Sequence, residues 1–473
     1  MADSAVDSSS ANIPAKPPSA AVVGGGLAGL AAATALSRNG WKVELFESRD
    51  RLGGRASSFL DKTTGELVDN CQHVSMGCCT NLDQFCRHLG INGSFRREPT
   101  LHFIAPDGKR YDFCGAPWLP APLHLAGGLW ALKFLSVRER IAIGRAMLAL
   151  SREKPGSGQN MADWLAAHGQ SPRAQEWFWG VVLVSALSET LDRISVDYAR
   201  KVFVEGFMAH PRAYEMEIPR VALGELYGTK LEGELARMGI ALHLGQRVRR
   251  VTGDASKVTG LELSEGEFVS FDAVVAAVPW QRAGDLFDEN LRQALPELAT
   301  LDQLEPSPIT SVHLWFDRVI APVEHAVLVG RVGQWLFHRS EASEKGHYYQ
   351  VVISASREAS QLGRELLVET VCRELAAIWP AAREAKLQHS RTVTEHAAVF
   401  APLPGVDAFR PAQRTAVPHL YLAGDWTRTG WPATMEGAVR SGLLAAEEVL
   451  RQSGKHLSLL AADLETGWLA RRL

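Results

Sequence analysis

The sequence predicts an α/β protein in which a Rossmann-like dinucleotide-binding domain is joined to a second domain of mixed sheet and helices. Two observations carry that prediction. A glycine-rich turn joins an apolar strand to an Ala/Leu-rich helix near residue 26, and a second glycine-rich turn joins a strand to a helix near residue 430. Strand and helix signals fill the stretch between them.

Residues 20–23 read as an apolar strand. Gly24, Gly25, Gly26, Leu27, Ala28 and Gly29 form the turn and open a helix that runs to Asn39 and Gly40. Residues 43–46 make a second strand, closed by Glu47. Gly24 permits the tight turn, Gly26 lets the backbone approach a pyrophosphate, and Gly29 lets the helix pack closely on the strand. Phosphates would then sit at the positive end of the helix dipole, against the unpaired N–H groups around Leu27 and Ala28. Glu47, about 20 residues after the turn, is placed to accept hydrogen bonds from a ribose diol, and its charge argues against a 2′-phosphate. Arg49 and then Gly53-Gly54-Arg55 follow: two glycines let the backbone pass close to a polyanion while Arg55 offers a bidentate contact.

The 473 residues are enough for two or more domains with large cores, and 46% hydrophobic with 22% charged residues is ordinary for a soluble globular protein. A formal net charge of -3 gives no reason to expect nucleic acid. Residues 1–19 are small, polar and Pro-rich without an apolar signal core, and are expected to be a disordered tail. Six cysteines are too few for a disulfide scaffold in a chain this long, so a reducing cytoplasm is the simplest setting. Cys71, Cys78, Cys79 and Cys86 lack metal-ligand spacing and read as buried small residues, with no metal site expected. No run of 18 apolar residues suggests a membrane span. Residues 115–135, rich in Trp, Leu and Pro with basic residues beside them, fit a peripheral contact with the inner face of the cytoplasmic membrane and fit a buried loop plus helix equally.

Between residues 80 and 214 helix formers and large aromatics dominate, as a core or as the wall of an apolar tunnel. Residues 224–238 read as an amphipathic helix, followed by a strand through 240–244 and 246–248; residues 260–263 and 273–278 are further strands, 310–316 and 348–354 alternate as sheet strands, and 362–378 is helical. Near the C-terminus a short strand, residues 420–422, ends in Gly424-Asp425. Residues 430–442, Gly-Trp-Pro-Ala-Thr-Met-Glu-Gly-Ala-Val-Arg-Ser-Gly, then open a final helix over 436–450. Asp425 at a strand end can hold a polyol hydroxyl, and the N–H groups near Met435 can stabilise negative charge.

With these motifs on view, the chain resembles the two-domain flavoprotein superfamily of amine oxidases and carotenoid (phytoene) desaturases. The resemblance implies FAD as cofactor: Glu47 on the adenosine ribose, Arg55 near the pyrophosphate, the backbone of Val248 on the adenine edge, Gly424 and Asp425 at the ribityl chain, and Thr434 and Met435 at the flavin N1/C2=O locus. It also places the segment from Asp69 through Gln72 and His73 to Cys78 beside the isoalloxazine ring. The implied organisation is an FAD domain of residues 20–88, 215–285 and 392–455, a substrate domain of 89–214 and 286–391, and a C-terminal tail from 456.

Amine oxidases carry an aromatic residue where this chain has Thr434, so a cation cage is not expected here. The fuller match, through Asp69-Asn70-Cys71-Gln72-His73-Val74 and the run from Ala423 to Gly442, is to the squalene-associated FAD-dependent desaturase branch, the hydroxysqualene dehydroxylases. The implied reaction is reductive removal of the allylic hydroxyl of hydroxysqualene to give squalene, on the way to hopanoids. It would take a long apolar isoprenoid substrate, with His73 and then Glu436 as candidate proton donors. The absence of a second dinucleotide motif implies an external electron donor. Alternatives left open are a polyene desaturase or isomerase, an amine oxidase, and a non-catalytic lipid escort on the same fold.

Overall fold

The computed structural model describes residues 16–343 and 346–472. Of the expected N-terminal tail, residues 1–15 lie outside the described residues, while Ser19 already belongs to the first strand and its N–H donates to Asp272 at 2.7 Å.

Strand β1 (Ser19–Val23) leads into helix α1 (Leu27–Arg38) and strand β2 (Lys42–Glu47). Helix α2 (Thr80–His88), strands β3 (Ala241–Leu244), β4 (Ala273–Ala276) and β5 (Leu420–Leu422), and helix α3 (Met435–Gln452) complete the cofactor domain. The five strands form one parallel sheet in the order β3-β2-β1-β4-β5, so pieces from the start, middle and end of the chain share one ladder. The strands are near-continuous apolar runs because both faces of the sheet are covered. Helices α1 and α3 cross in backbone contact: a Cβ built on Gly442 would lie 2.1 Å from the Ala28 carbonyl oxygen, and one on Gly29 1.9 Å from that of Gly24.

The second domain is a seven-stranded mixed sheet, with helices from Val137–Arg152 to Val196–Phe203 beside it. Its strand Pro306–Phe316 pairs antiparallel with Gly346–Ser354 and with the edge strand Leu387–Phe400. Val312, Leu314 and Phe316 pack on the helix Arg364–Ile378 in one apolar cluster, while Ser311, His313 and Trp315 point to the opposite face. Trp164, Trp179 and Phe178 are core residues, whereas Trp118 and Trp130 are exposed.

Three expectations are corrected. The expected domain boundary at 391/392 would cut the continuous strand Leu387–Phe400, so the chain returns to the cofactor domain only after Phe400. The strand expected through 240–248 is two: Gly245 at φ +70° turns the chain out of β3, and Val248–Gly253 joins a separate three-stranded antiparallel sheet. The C-terminal segment does not hang free. Ala461 N donates to Asn81 Oδ1 at 2.8 Å, Asp463 pairs with Arg440 at 2.8 Å, and Gly467 N donates to Ala209 O at 2.8 Å.

Because the helix crossing leaves no room for a side chain, Gly442→Val should lower stability by on the order of 3 kcal/mol, read as a fall in Tm. A variant as stable as the parent would show that the crossing is not tight.

Candidate functional site

Gly24, at φ +114°, bends the chain out of β1, and its N–H donates to the Phe46 carbonyl at 2.8 Å. Glu47 closes the turn from the other side. Its Oε2 accepts from Gly25 N at 2.7 Å and its Oε1 from Arg49 N at 2.8 Å. Oε1 also accepts from Ser48 Oγ at 3.1 Å, while Oε2 keeps a second lone pair, so the buried carboxylate can fix the turn and still receive a ribose hydroxyl.

Helix α1 has Gly26 as its N-cap and no side chain capping it. The N–H groups of the first turn, at Leu27, Ala28 and Gly29, have no partner within the helix. A Cβ built on Gly26 would meet only the Gly54 Cα, at 3.8 Å. Opposite, Gly53 N donates to Gly25 O at 2.9 Å, and Gly53 and Gly54 both sit at positive φ. Two glycine backbones thus form a cradle with uncapped donors at its base, which suits a pyrophosphate.

Arg55 and Asp425, expected at separate points of the site, are one ion pair, Nη2 to Oδ1 at 2.6 Å, across 370 positions of sequence. Arg55 Nη1 also donates to the Ala398 carbonyl, tying the start of the chain to the edge strand of the second sheet. Arg49 stays at the surface, its guanidinium 3.4 Å from Gly54 O. Val248 starts its strand paired with Leu263. The preceding Gly245 donates to Arg49 O at 2.7 Å, which brings this corner to the end of β2 beside Glu47.

At the C-terminal motif, Gly424 lies at φ +147° and donates to Ser441 Oγ at 2.8 Å. Arg410, buried, donates to the Asp425 carbonyl at 3.0 Å and to Tyr198 Oη at 2.7 Å, clamping the loop that carries Asp425. Thr434 is the N-cap of α3: its Oγ1 accepts from Gly437 N at 3.0 Å. Met435 Sδ receives the Tyr227 hydroxyl at 3.8 Å. Burial pushes the Tyr227 phenol far up, so it stays a neutral donor.

The 69–73 segment is held from below. Asp69 accepts from Ser58 Oγ and Leu223 N, both at 2.7 Å, and from Arg339 at 3.0 Å. Burial pushes the Cys71 thiol up to about 12, leaving it uncharged. His73 keeps some accessible surface although protein surrounds it, as a residue on the wall of an interior cleft does. Its Nδ1 lies 2.9 Å from the Cys71 carbonyl, which can only accept, so Nδ1 carries the proton and Nε2 offers a lone pair. Burial lowers the imidazole below its ordinary range, against the pull of that carbonyl and of Asp69. Gln72 is anchored by Nε2 to His73 O at 2.8 Å.

Glu436 does something else. Its carboxylate accepts from Asn81 Nδ2 at 2.9 Å, Leu82 N at 2.7 Å and Arg440 at 3.1 Å, capping the N-terminus of α2, a different helix from its own. Burial raises its carboxyl, with those donors pulling the other way. Both its oxygens serve the packing of α2 on α3 in a fully buried spot, whereas His73 keeps some accessible surface and an Nε2 without a protein partner.

Tyr227, Arg410, Ser441 and Arg339 were not singled out by sequence reasoning. Ser441 lies within the 430–442 motif and the other three outside any motif, and only tertiary pairing gives each its role.

The sheet, the uncapped α1 terminus and the two converging glycine turns define a flavin-dependent oxidoreductase. The chain belongs to the family described as flavin containing amine oxidoreductase, matched over residues 27–450, and FAD is its cofactor. It is 26% identical over 472 residues to a 15-cis-phytoene desaturase of Glycine max, covering 93% of this chain and 80% of that one. It is 29% identical over 441 residues to a hydroxysqualene dehydroxylase of Rhodopseudomonas palustris, covering 91% and 97%. The fold is similar to that of cyclohexylamine oxidase from Brevibacterium oxydans, with a TM-score of 0.69 at 19% identity over 93% of this chain and 100% of that one.

Arg55→Ala leaves Asp425 buried and unpaired, which typically costs several kcal/mol. The purified variant should carry less FAD per chain, read from the ratio of flavin to protein absorbance, and Arg55→Lys should recover only part. Full flavin content in Arg55→Ala would contradict the role assigned to the pair.

Proposed function

We propose that this protein reductively removes the allylic hydroxyl of hydroxysqualene, giving squalene and water. Bound FAD, once reduced, supplies the hydride. The protein supplies the proton that leaves with the hydroxyl, a dry apolar channel, and the orientation of substrate against the ring. His73 in its charged form is the proposed donor to the leaving oxygen, its Nδ1 steadied by the Cys71 carbonyl so that Nε2 handles the proton. Electrons come from a separate reductase or free reduced flavin.

The observation that carries the reading is Thr434. Its hydroxyl is occupied as the cap of α3 and it presents no aromatic face, which favours a neutral hydrocarbon-like substrate over an alkylammonium. Similarity over nearly the full length to the Rhodopseudomonas palustris hydroxysqualene dehydroxylase supports the same choice. A second reading, desaturation of a polyene, is favoured by similarity over more than nine-tenths of the chain to the 15-cis-phytoene desaturase of Glycine max. A substrate this apolar partitions into bilayers, so the protein is expected to collect it at a membrane surface.

Anaerobic incubation of the chemically reduced holoprotein with hydroxysqualene should yield squalene, with neither phytoene nor aliphatic amines consumed. Desaturated products from phytoene would move the assignment to the second reading. NADPH alone should not bleach the flavin.

The pH dependence follows from the lowered His73 pKa. If imidazolium is the donor, kcat/KM rises as pH falls toward a value below the ordinary histidine range of about 6.5 and declines above it. His73→Gln should cut kcat/KM by about 10²–10⁴-fold and flatten that limb. An unaltered limb in the variant would remove His73 from the proton transfer.

A further inference from the structure

Four large apolar side chains outside the cofactor site face solvent on one side of the second domain. Trp118 is 81% exposed, Leu123 48%, Trp130 52% and Trp468 61%. They belong to one surface for stated reasons. Leu123 sits in the turn Leu123–Leu125 that runs directly into the helix Ala126–Ala131, so Leu123, Gly127 and Trp130 recur at helical spacing on its outer side. On its inner side Gly128 lies against Phe113, and Leu125 and Leu132 are buried. Ala116 N donates to His124 O at 2.8 Å, which folds the loop carrying Trp118 onto this turn. The C-terminal segment arrives at the same place: a Cβ on Gly467 would lie 3.2 Å from the Ala121 side chain, so Trp468 emerges beside the loop.

Along residues 115–152 the exposed charge is basic. The segment contains Lys133, Arg138, Arg140, Arg145 and Arg152 and a single acid, Glu139. Glu139 is buried, accepting from Ser136 N at 2.8 Å and pairing with Arg173 at 3.1 Å, and Arg140 is buried beside it, which leaves Lys133, Arg138, Arg145 and Arg152 as the exposed charges. Arg140 lies over the Trp130 ring at 4.6 Å and Arg472 over the Trp468 ring at 5.7 Å. Arg471 is paired with Glu465. No helix among the described residues is long and apolar enough to cross a membrane.

We propose that this composite face, the 117–130 loop and helix together with Trp468, docks on the surface of an anionic lipid bilayer. Exposed tryptophans flanked by Arg and Lys match the headgroup zone, where the rings enter the acyl boundary and the cations meet lipid phosphates. The proposal deepens the functional reading, taking from it only that the substrate is a lipid, and its test uses no substrate.

The experiment is flotation of the holoprotein with vesicles of phosphatidylcholine alone and of phosphatidylcholine mixed with phosphatidylglycerol. Binding is expected to the anionic vesicles, weakened by salt. Replacing Trp118, Trp130 and Trp468 together by Ser should reduce partitioning at least tenfold, and Lys133→Glu or Arg138→Glu roughly fivefold each, with flavin absorbance and Tm unchanged. If the triple variant fails to fold, Trp468→Ser and the charge variants decide. The proposal is overturned if the parent does not bind, if the variants bind as well as the parent, or if sedimentation shows a dimer that the Trp substitutions dissolve. Failure of hydroxysqualene turnover with vesicle binding intact would strike the functional reading alone.

Discussion

Helix α1 must present bare backbone donors at one end while being gripped along its flank by other backbone. Both demands are met by removing side chains. At Gly26 no Cβ intrudes on the cradle, at Gly29 none separates helix from strand, and at Gly442 none separates α1 from α3. A side chain at Gly29 or Gly442 would drive the helix from its seat by the ångström or more that separates a hydrogen bond from a void, and one at Gly26 would stand in the cradle itself. The dipole of α1 is useful to a polyphosphate only because its position is fixed to that tolerance.

Around this contact buried charge is paired or hydrogen-bonded. Asp69 with Arg339 and Asp425 with Arg55 join segments far apart in sequence, while Glu436 pairs with Arg440 on its own helix and reaches Asn81 and Leu82 of α2, and Arg410 clamps the carbonyls of a nearby loop. Such pairs contribute little net stability after desolvation, yet breaking one leaves a stranded charge, so they fix geometry more than they strengthen it. The first two tie the cofactor domain to its surroundings beneath Cys71 and His73, whose charged forms burial disfavours.

Much of the cofactor domain was legible because its signals are local. A strand, three glycines and a helix within about 20 residues are a pattern that physics reads in one stretch, and the strand ending at Asp425 with the helix after Thr434 is another. The ion pair of Arg55 and Asp425 was not legible as a pair, since neither side chain announces its partner across 370 positions. Glu436 was read as a candidate proton donor because it stands beside Met435 in the motif, but its side chain turns to another helix. The edge strand Leu387–Phe400 carries mostly polar residues and no strict alternation, so its first residues resemble a linker. The turn at Gly245 differs in nothing local from a glycine inside a strand.

The order of strands in the parallel sheet has a consequence for biosynthesis. β5 is the last strand to leave the ribosome, and it pairs with β4, which in turn flanks β1, so the ladder begun at residue 19 is closed only after residue 422 has emerged. Until then the nascent chain holds an unfinished sheet with an exposed edge and an apolar helix lacking its partner, a species prone to aggregation. Loading of FAD therefore waits until α3 has emerged, and early termination anywhere before it leaves a product that chaperones and proteases must deal with.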